Sequence, residues 1–247
     1  MKPPFGNPAM GYFISEETLF LGQTFTLSGE EAQHLLGARR IRLGEKIEIQ
    51  DPKEQRFLCE ILELGRKSLE LKTLIQLTPP AEPAFSIHLW QAMVKEKAAD
   101  YILQKATELG AYELVFFQSQ YAARLPEPRE EAHKVERWQK IALEACKQSG
   151  RVRPPFIRLE RQAPWETLGQ GPSLMLHPGG NFDLTQPAWG KEANSLNLLI
   201  GPEGGFSEEE AQTYGGPRLH LGPRILRADT AALAALTLLG HHFGDLG

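Results

Sequence analysis

Cysteine is nearly missing from this chain: its 247 residues include two, Cys59 and Cys146, in separate segments. Two distant thiols exclude a disulfide framework and a zinc site built on cysteines. Long hydrophobic runs are missing as well. No apolar stretch approaches the roughly 18 residues that a membrane-spanning helix needs. Residues 1–12 are rich in proline and glycine and lack the apolar core of a secretory leader. These absences point to a cytoplasmic protein with no membrane partner. There is no surplus of positive charge, since 27 Lys and Arg stand against 31 Asp and Glu for a net charge of −4. Charge as a whole therefore does not announce a nucleic-acid binder. Several chemical signatures are absent too. GxxxxGK followed by Ser or Thr, which would cradle a triphosphate, does not occur, nor does a dinucleotide-binding GxGxxG. Without GxSxG there is no nucleophile elbow, and without HExxH or another ligand spacing no metal site is expected.

What is present is local. Basic residues gather in three groups: Arg39, Arg40, Arg42 and Lys46; Arg151, Arg153, Arg158 and Arg161; and Arg218, Arg224 and Arg227. The acids sit elsewhere, as in Glu16-Glu17, Glu30-Glu31 and Glu208-Glu209-Glu210. Any one group alone reads as a solvated mixed-charge surface. Three in separate segments favour a basic face.

The first eighty residues read as β-rich. Short, partly alternating runs at 13–14, 24–27, 46–49, 56–62 and 68–77 are separated by Gly22, Gly29, Gly44, Asp51-Pro52 and Gly65. Regular turn signals of this kind predict a small barrel or sandwich, with one short helix at 30–38. Thr78-Pro79-Pro80-Ala81-Glu82-Pro83 cannot continue a strand or a helix and marks a linker. The expected division is a domain at 1–78, a linker at 79–83 and a second domain at 84–247.

Beyond the linker, strands and helices alternate. Strands are expected at 85–93, 114–117, 174–177, 196–200 and 219–221, and helices at 95–109, 130–149 and 230–243. Ala98, Ile102, Ala106 and Leu109 share one face of the first helix, and Val135, Trp138, Ala142 and Ala145 one face of the second. Gly110 and Gly150 close them. Ser207 with Glu210 matches a capping box opening a further helix of about two turns. Proline-containing stretches 121–130 and 151–165 are expected as surface loops. Alternation of this kind implies an α/β domain with a largely parallel sheet.

Ligands of such sheets bind beyond the carboxyl ends of the strands. Three segments reach that edge: Leu176-His177-Pro178-Gly179-Gly180; Gly201-Pro202-Glu203-Gly204-Gly205-Phe206-Ser207; and Leu221-Gly222-Pro223-Arg224-Ile225-Leu226-Arg227-Ala228-Asp229-Thr230. They offer main chain more than side chain, because glycine lets a ligand approach the backbone closely. A pocket of this make suits a neutral or zwitterionic ligand with a flat base. Ser207 is expected as an N-cap rather than a nucleophile, and His177 as a structural hydrogen-bonding group. His34 is expected at the surface and His241-His242 at a helix end.

These loops resemble the two signature loops of the RsmE family, the ribosomal small-subunit RNA (uracil-N3)-methyltransferases of the SPOUT superfamily. Further stretches are similar to family motifs in the same order. They are Gln104-Lys105-Ala106-Thr107-Glu108-Leu109-Gly110 behind Lys95, Lys97 and Asp100; Arg137-Trp138-Gln139-Lys140-Ile141 continuing to Gln148-Ser149 and Arg151; and His34-Leu35 with Arg40-Ile41-Arg42-Leu43-Gly44-Glu45. The resemblance covers roughly residues 12–240. Two positions depart from the pattern: Asp229 stands where glutamate is common, and Arg39 where an apolar residue is usual.

The resemblance implies a PUA-like RNA-binding β-barrel (a PUA/OB-like domain), then an α/β SPOUT-type domain with a C-terminal trefoil knot, and a homodimer. It implies S-adenosyl-L-methionine as cofactor, no metal, and 16S rRNA or the small ribosomal subunit as partner. The cofactor would be held by Leu176, His177, Pro178, Gly201, Pro202, Glu203, Gly204, Leu221, Gly222, Arg224, Ile225 and Leu226. RNA contacts would come from Arg39, Arg40, Arg42, Arg151, Arg153 and Arg224. Arg227, Asp229 and Glu203 are the catalytic candidates, with Arg227 on the uracil anion or a nearby phosphate, and Asp229 or Glu203 as base or orienting group. For Asp229, capping of the last helix is the competing role. Two other functions compete: methylation of another RNA, such as transfer-RNA ribose, and a non-catalytic RNA-binding role in ribosome assembly.

Overall fold

The structure is a computed structural model that describes residues 11–38, 41–181 and 193–247. Arg39 and Arg40, named above as RNA contacts, lie outside the described residues. The chain falls into two compact units. One takes the chain up to Ala81 together with Cys146–Arg153, and the other takes Glu82–Ala145 with Pro154–Gly247.

The first unit is a five-stranded sheet in the order β1-β3-β4-β5-β2. Its strands are β1 (Tyr12–Ile14), β2 (Thr24–Leu27), β3 (Lys46–Gln50), β4 (Arg56–Leu64) and β5 (Leu69–Leu77), and helix α1 (Gly29–Ala38) follows β2. Only the β1–β3 pair is parallel. Alternation explains the strands: in β3, Ile47 and Ile49 point into a core with Phe25, Leu27, Leu35, Phe57, Ile61 and Leu71. The register of β4 against β5 slips at Leu58/Cys59 and again at Ile61/Glu63, and such bulges bend and twist a strand pair.

Buried Arg56 organises the segment that joins this unit from later in the chain. Its guanidinium lies 3.7 Å from the Tyr12 ring centre. It donates to Gln50 Oε1 at 2.7 Å, Gly150 O at 3.2 Å and Arg151 O at 3.3 Å. Tyr12 Oη donates to Arg151 O at 2.8 Å, and Gln50 Nε2 to Val152 O at 2.8 Å. Burial lowers the Arg56 pKa, and Tyr12 and Glu48 oppose that shift. Lys147 pairs with Glu31 in the same unit.

The second unit is a six-stranded sheet, ordered β11-β9-β10-β6-β7-β8, with every pairing parallel. Its strands are β6 (Ser86–Ala92), β7 (Glu113–Phe117), β8 (Phe156–Glu160), β9 (Ser173–Leu176), β10 (Ser195–Ile200) and β11 (Arg218–Leu219). Its helices are α2 (Glu96–Glu108), α4 (Trp165–Gln170), α5 (Glu208–Tyr214) and α6 (Ala228–His242), with α3 (Pro128–Ser149) running on into the segment of the first unit. Both faces of the sheet are covered, as an all-parallel sheet requires. Ile87, Leu89, Leu114, Phe116, Leu196 and Leu198 face one core with Ile102, Trp138 and Leu236. Their neighbours Trp90, Val115, Phe117 and Leu199 face the other with Leu168, Ala211 and Tyr214.

Four expectations need correction. The stretch 151–165 is not all loop, because Phe156–Glu160 forms edge strand β8 against β7. Its prolines, Pro154 and Pro155, end just before the strand, where no ladder hydrogen bond is lost. Helix α4 was not foreseen; it is a six-residue helix opened by Pro164, too short for a periodic pattern. Strand β11 ends at Leu219, before the expected 219–221, since Gly222 turns the chain at φ 97° ahead of Pro223. Helix α3 begins earlier than expected, with Pro128 in its first turn, where a missing N–H costs nothing. Among the described residues no helix is long and apolar enough to cross a membrane.

Carboxylates stand beside members of the second basic group, with Arg153 4.0 Å from Glu54. Arg158 pairs with Glu113 at 2.7 Å and with Glu160, and Arg161 pairs with Glu131. The hydrogen bond from His88, with a second from Arg158, holds the Glu113 carboxyl below its ordinary range against the effect of burial.

Candidate functional site

Strands β9, β10 and β11 are adjacent and parallel, so the loops that follow them emerge at one edge. They enclose a cavity of about 660 Å³. All the residues named above as cofactor candidates line it: Leu176, His177, Pro178, Gly201, Pro202, Glu203, Gly204, Leu221, Gly222, Arg224, Ile225 and Leu226. Gly180, Ile200, Gly205, Phe206, Leu219, His220, Pro223, Ala228 and Ala231 complete the wall.

Backbone geometry shapes each loop. His177 N donates to Leu219 O at 2.9 Å, and Gly180 N to His177 O at 2.9 Å. His177 Nδ1 accepts from Gly179 N at 3.1 Å, the structural role expected of it. A Cβ on Gly180 would stand 2.6 Å from Arg218 O and from the Leu219 carbonyl carbon. Only glycine lets this loop lie flat on β11. Gly205 N donates to Pro202 O at 2.9 Å, closing a turn in which Gly205 takes φ 73°. In the third loop Gly222 N donates to His220 Nδ1 at 3.2 Å.

The sequence reading missed Gln91. This β6 side chain is fully buried and donates to Ala92 O at 2.9 Å and Gly201 O at 3.2 Å, which fixes the start of the second loop. Its Oε1 has no hydrogen-bond partner among the described residues. The available signal was a lone amide inside the apolar run 87–94.

Ser207 caps α5. Its Oγ accepts from Glu210 N at 3.1 Å, and its N donates to Glu210 Oε2 at 2.8 Å. That bond pair is the capping box expected of Ser207. Arg227 occupies the N-cap position of α6 without a side-chain cap, and its side chain is 81 % exposed. Asp229 therefore lies inside the first turn and is not the cap. Its Oδ1 accepts from Thr230 N at 2.7 Å and stands 3.8 Å from Arg227 Nε. Neither Arg227 nor Asp229 lines the cavity, whereas Ala228 between them does. Glu203 is exposed on the cavity wall. Of the RNA candidates, Arg42, Arg151 and Arg153 belong to the first unit and Arg224 to the second. Arg42 and Arg153 are exposed, the latter 4.0 Å from Glu54.

An apolar, main-chain-rich cleft, with one exposed carboxylate and no cluster of cations among the described residues, suits a flat base carrying a positively charged tail. The family model for an RNA methyltransferase domain matches residues 81–240. The chain belongs to this family. A second model, for an RNA methyltransferase PUA domain, matches 27–74. Ribosomal RNA small subunit methyltransferase E of Buchnera aphidicola subsp. Schizaphis graminum is 31% identical, with 100% of each chain covered. The Bacillus subtilis protein of the same name is 28% identical over 93% of this chain and 95% of its own. Among solved structures, ribosomal RNA small subunit methyltransferase E from Neisseria gonorrhoeae, bound to S-adenosyl methionine, superposes with a TM-score of 0.79. It is 29% identical and covers 94% of this chain and 97% of its own. The family's PUA-like and α/β organisation thus spans the molecule.

Proposed function

We propose that this enzyme uses S-adenosyl-L-methionine to methylate N3 of a specific uridine in 16S rRNA. The observation that carries the reading is the single cavity lined by all three strand-end loops, in a chain of an RNA methyltransferase family. Leu176, Ile200, Leu221 and Leu226 offer apolar walls for the adenine, and the Gly201–Gly205 and His220–Gly222 backbones offer its polar edges their partners. Glu203, on the same wall, favours the cofactor's positive charge. When bound, S-adenosyl-L-methionine supplies an electrophilic methyl group. N3 lies on the pairing edge of uracil, so the base must be unpaired before it can react. It must also lose its proton. Arg227 would stabilise the resulting anion, and Asp229 or Glu203 would accept the proton.

The finer architecture belongs to the same reading. A trefoil knot is supported by strand order: β11 returns beside β9, and the chain then runs back to α6, which packs against α2 and β10. A homodimer is supported by exposed Leu238 and Tyr101 on the adjoining helices α6 and α2. Residues 1–78 would form the RNA-binding module, using Arg42 together with Arg151 and Arg153 of the returning segment, with 79–83 as linker and 84–247 as the catalytic domain. Work on ribosomal RNA would put the enzyme in the cytoplasm.

Mass mapping of nucleosides in ribosomal RNA tests the proposal. A deletion strain should lose one 3-methyluridine and regain it on complementation, and retention of that nucleoside would refute the assignment. Titration with S-adenosyl-L-methionine should show binding, and none at millimolar ligand would refute enzymatic methyl transfer altogether.

A further inference from the structure

We infer that Tyr121 is the surface on which the acceptor base stacks, and that the loops after β6 and β7 form the RNA-holding lip of the cavity. This rests on the methyl-transfer reading and adds the residue that positions the base. Tyr121 follows β7, far in sequence from the glycine loops. The structure nevertheless sets it against them: a Cβ built on Gly204 would lie 3.0 Å from Tyr121 Cβ. Gly204 lines the cavity, so the ring stands at its rim.

Tyr121 is 55 % exposed, and its ring has no ring or cation contact among the described residues. Its backbone is nonetheless firmly held. Gln118 Oε1 accepts from Leu125 N at 3.2 Å, and Ala122 N donates to Ser119 O at 3.2 Å. Gln120 N donates to Glu210 Oε1 at 2.9 Å, and Ala123 N to Met93 O at 2.9 Å. The bond to Glu210 ties the loop to α5, and the bond to Met93 ties it to the segment leading into α2. An aromatic ring presented to solvent on a braced loop, beside a catalytic cavity, is prepared for a flat partner.

The surroundings favour a nucleotide. Arg124 on the same loop, and Lys95 and Lys97 at the start of α2, are exposed and have no ion-pair partner among the described residues. Cations of this kind take the phosphates that flank a base. A uracil brought out of its helix loses its stacking neighbours, and an aromatic face at the rim replaces one of them.

The test compares wild type, Tyr121→Phe, Tyr121→Leu and Tyr121→Ala in transfer of labelled methyl groups to small ribosomal subunits from the deletion strain. Affinity for S-adenosyl-L-methionine and thermal melting are measured in parallel. Tyr121→Phe should match wild type within about twofold. The Ala and Leu variants should raise KM for subunits by about ten- to a hundredfold, the range expected for one lost base stack, with cofactor affinity unchanged. Full activity of Tyr121→Ala would overturn the inference, as would a Phe variant no better than Ala. So would cofactor affinity falling in step with transfer. A wild-type protein that binds cofactor yet methylates no subunit would instead remove the functional reading beneath it.

Discussion

Arg227 and Asp229 flank Ala228, and of the three only Ala228 touches the cavity. On the proposed function, that arrangement would separate cofactor binding from substrate chemistry at the level of single side chains. Arg227 projects into solvent with one loose contact, 3.8 Å to Asp229, so its removal leaves no buried group unpaired. Arg227→Ala should therefore keep cofactor affinity, measured by titration calorimetry, while transfer falls by about a hundred- to a thousandfold, the loss typical of one anion-stabilising donor. Parallel loss of both would make Arg227 a pocket residue. The loop residues were legible in the sequence because glycine and proline encode main-chain geometry directly. Gln91 and Tyr121 were not, because their importance lies in contacts with Gly201 and Gly204 made across long stretches of chain. For Asp229 the helix starts two residues earlier than expected, which removes the competing capping role and leaves a first-turn carboxylate.

Among the elements, those with a strong period were read well. The alternating strands of the first unit and the amphipathic helices α2 and α3 came out within a few residues of expectation. Helix α4 is shorter than the window over which periodicity is meaningful. Strand β8 is an edge strand, exposed at Phe156 and half-buried beyond it, so it lacks the apolar run that marked its buried neighbours. Helix α5 is a third case, legible from its cap alone. The box formed by Ser207 and Glu210 opens a helix of seven residues, too few to be stable without help. Ser207→Ala should cost about 1 kcal/mol, read as a lower urea midpoint with unchanged slope. Hydrogen exchange should quicken at residues 208–214, and uniform loss of protection across the unit would argue against a local cap.

For the whole molecule, the two cysteines offer a built-in probe. Both are fully buried and both belong to the first unit, and burial pushes the Cys59 thiol up to about 12. Thiolate is the reactive form, so Ellman's reagent should detect no thiol in native buffer and both in urea. Rapid reaction of one thiol without denaturant would mean that this unit opens by itself. Arg56 gives a different consequence at this scale. Its hydrogen bonds to Gly150 and Arg151, with those of Tyr12 and Gln50 to Arg151 and Val152, make the first unit a mosaic of two lengths of chain. Scissors at the proline linker would free residues 11–81 without residues 146–153, stranding a buried guanidinium, a phenol and an amide. Transplanting this unit between relatives therefore takes a graft of both pieces, and the returning strip is as much its property as any of its strands.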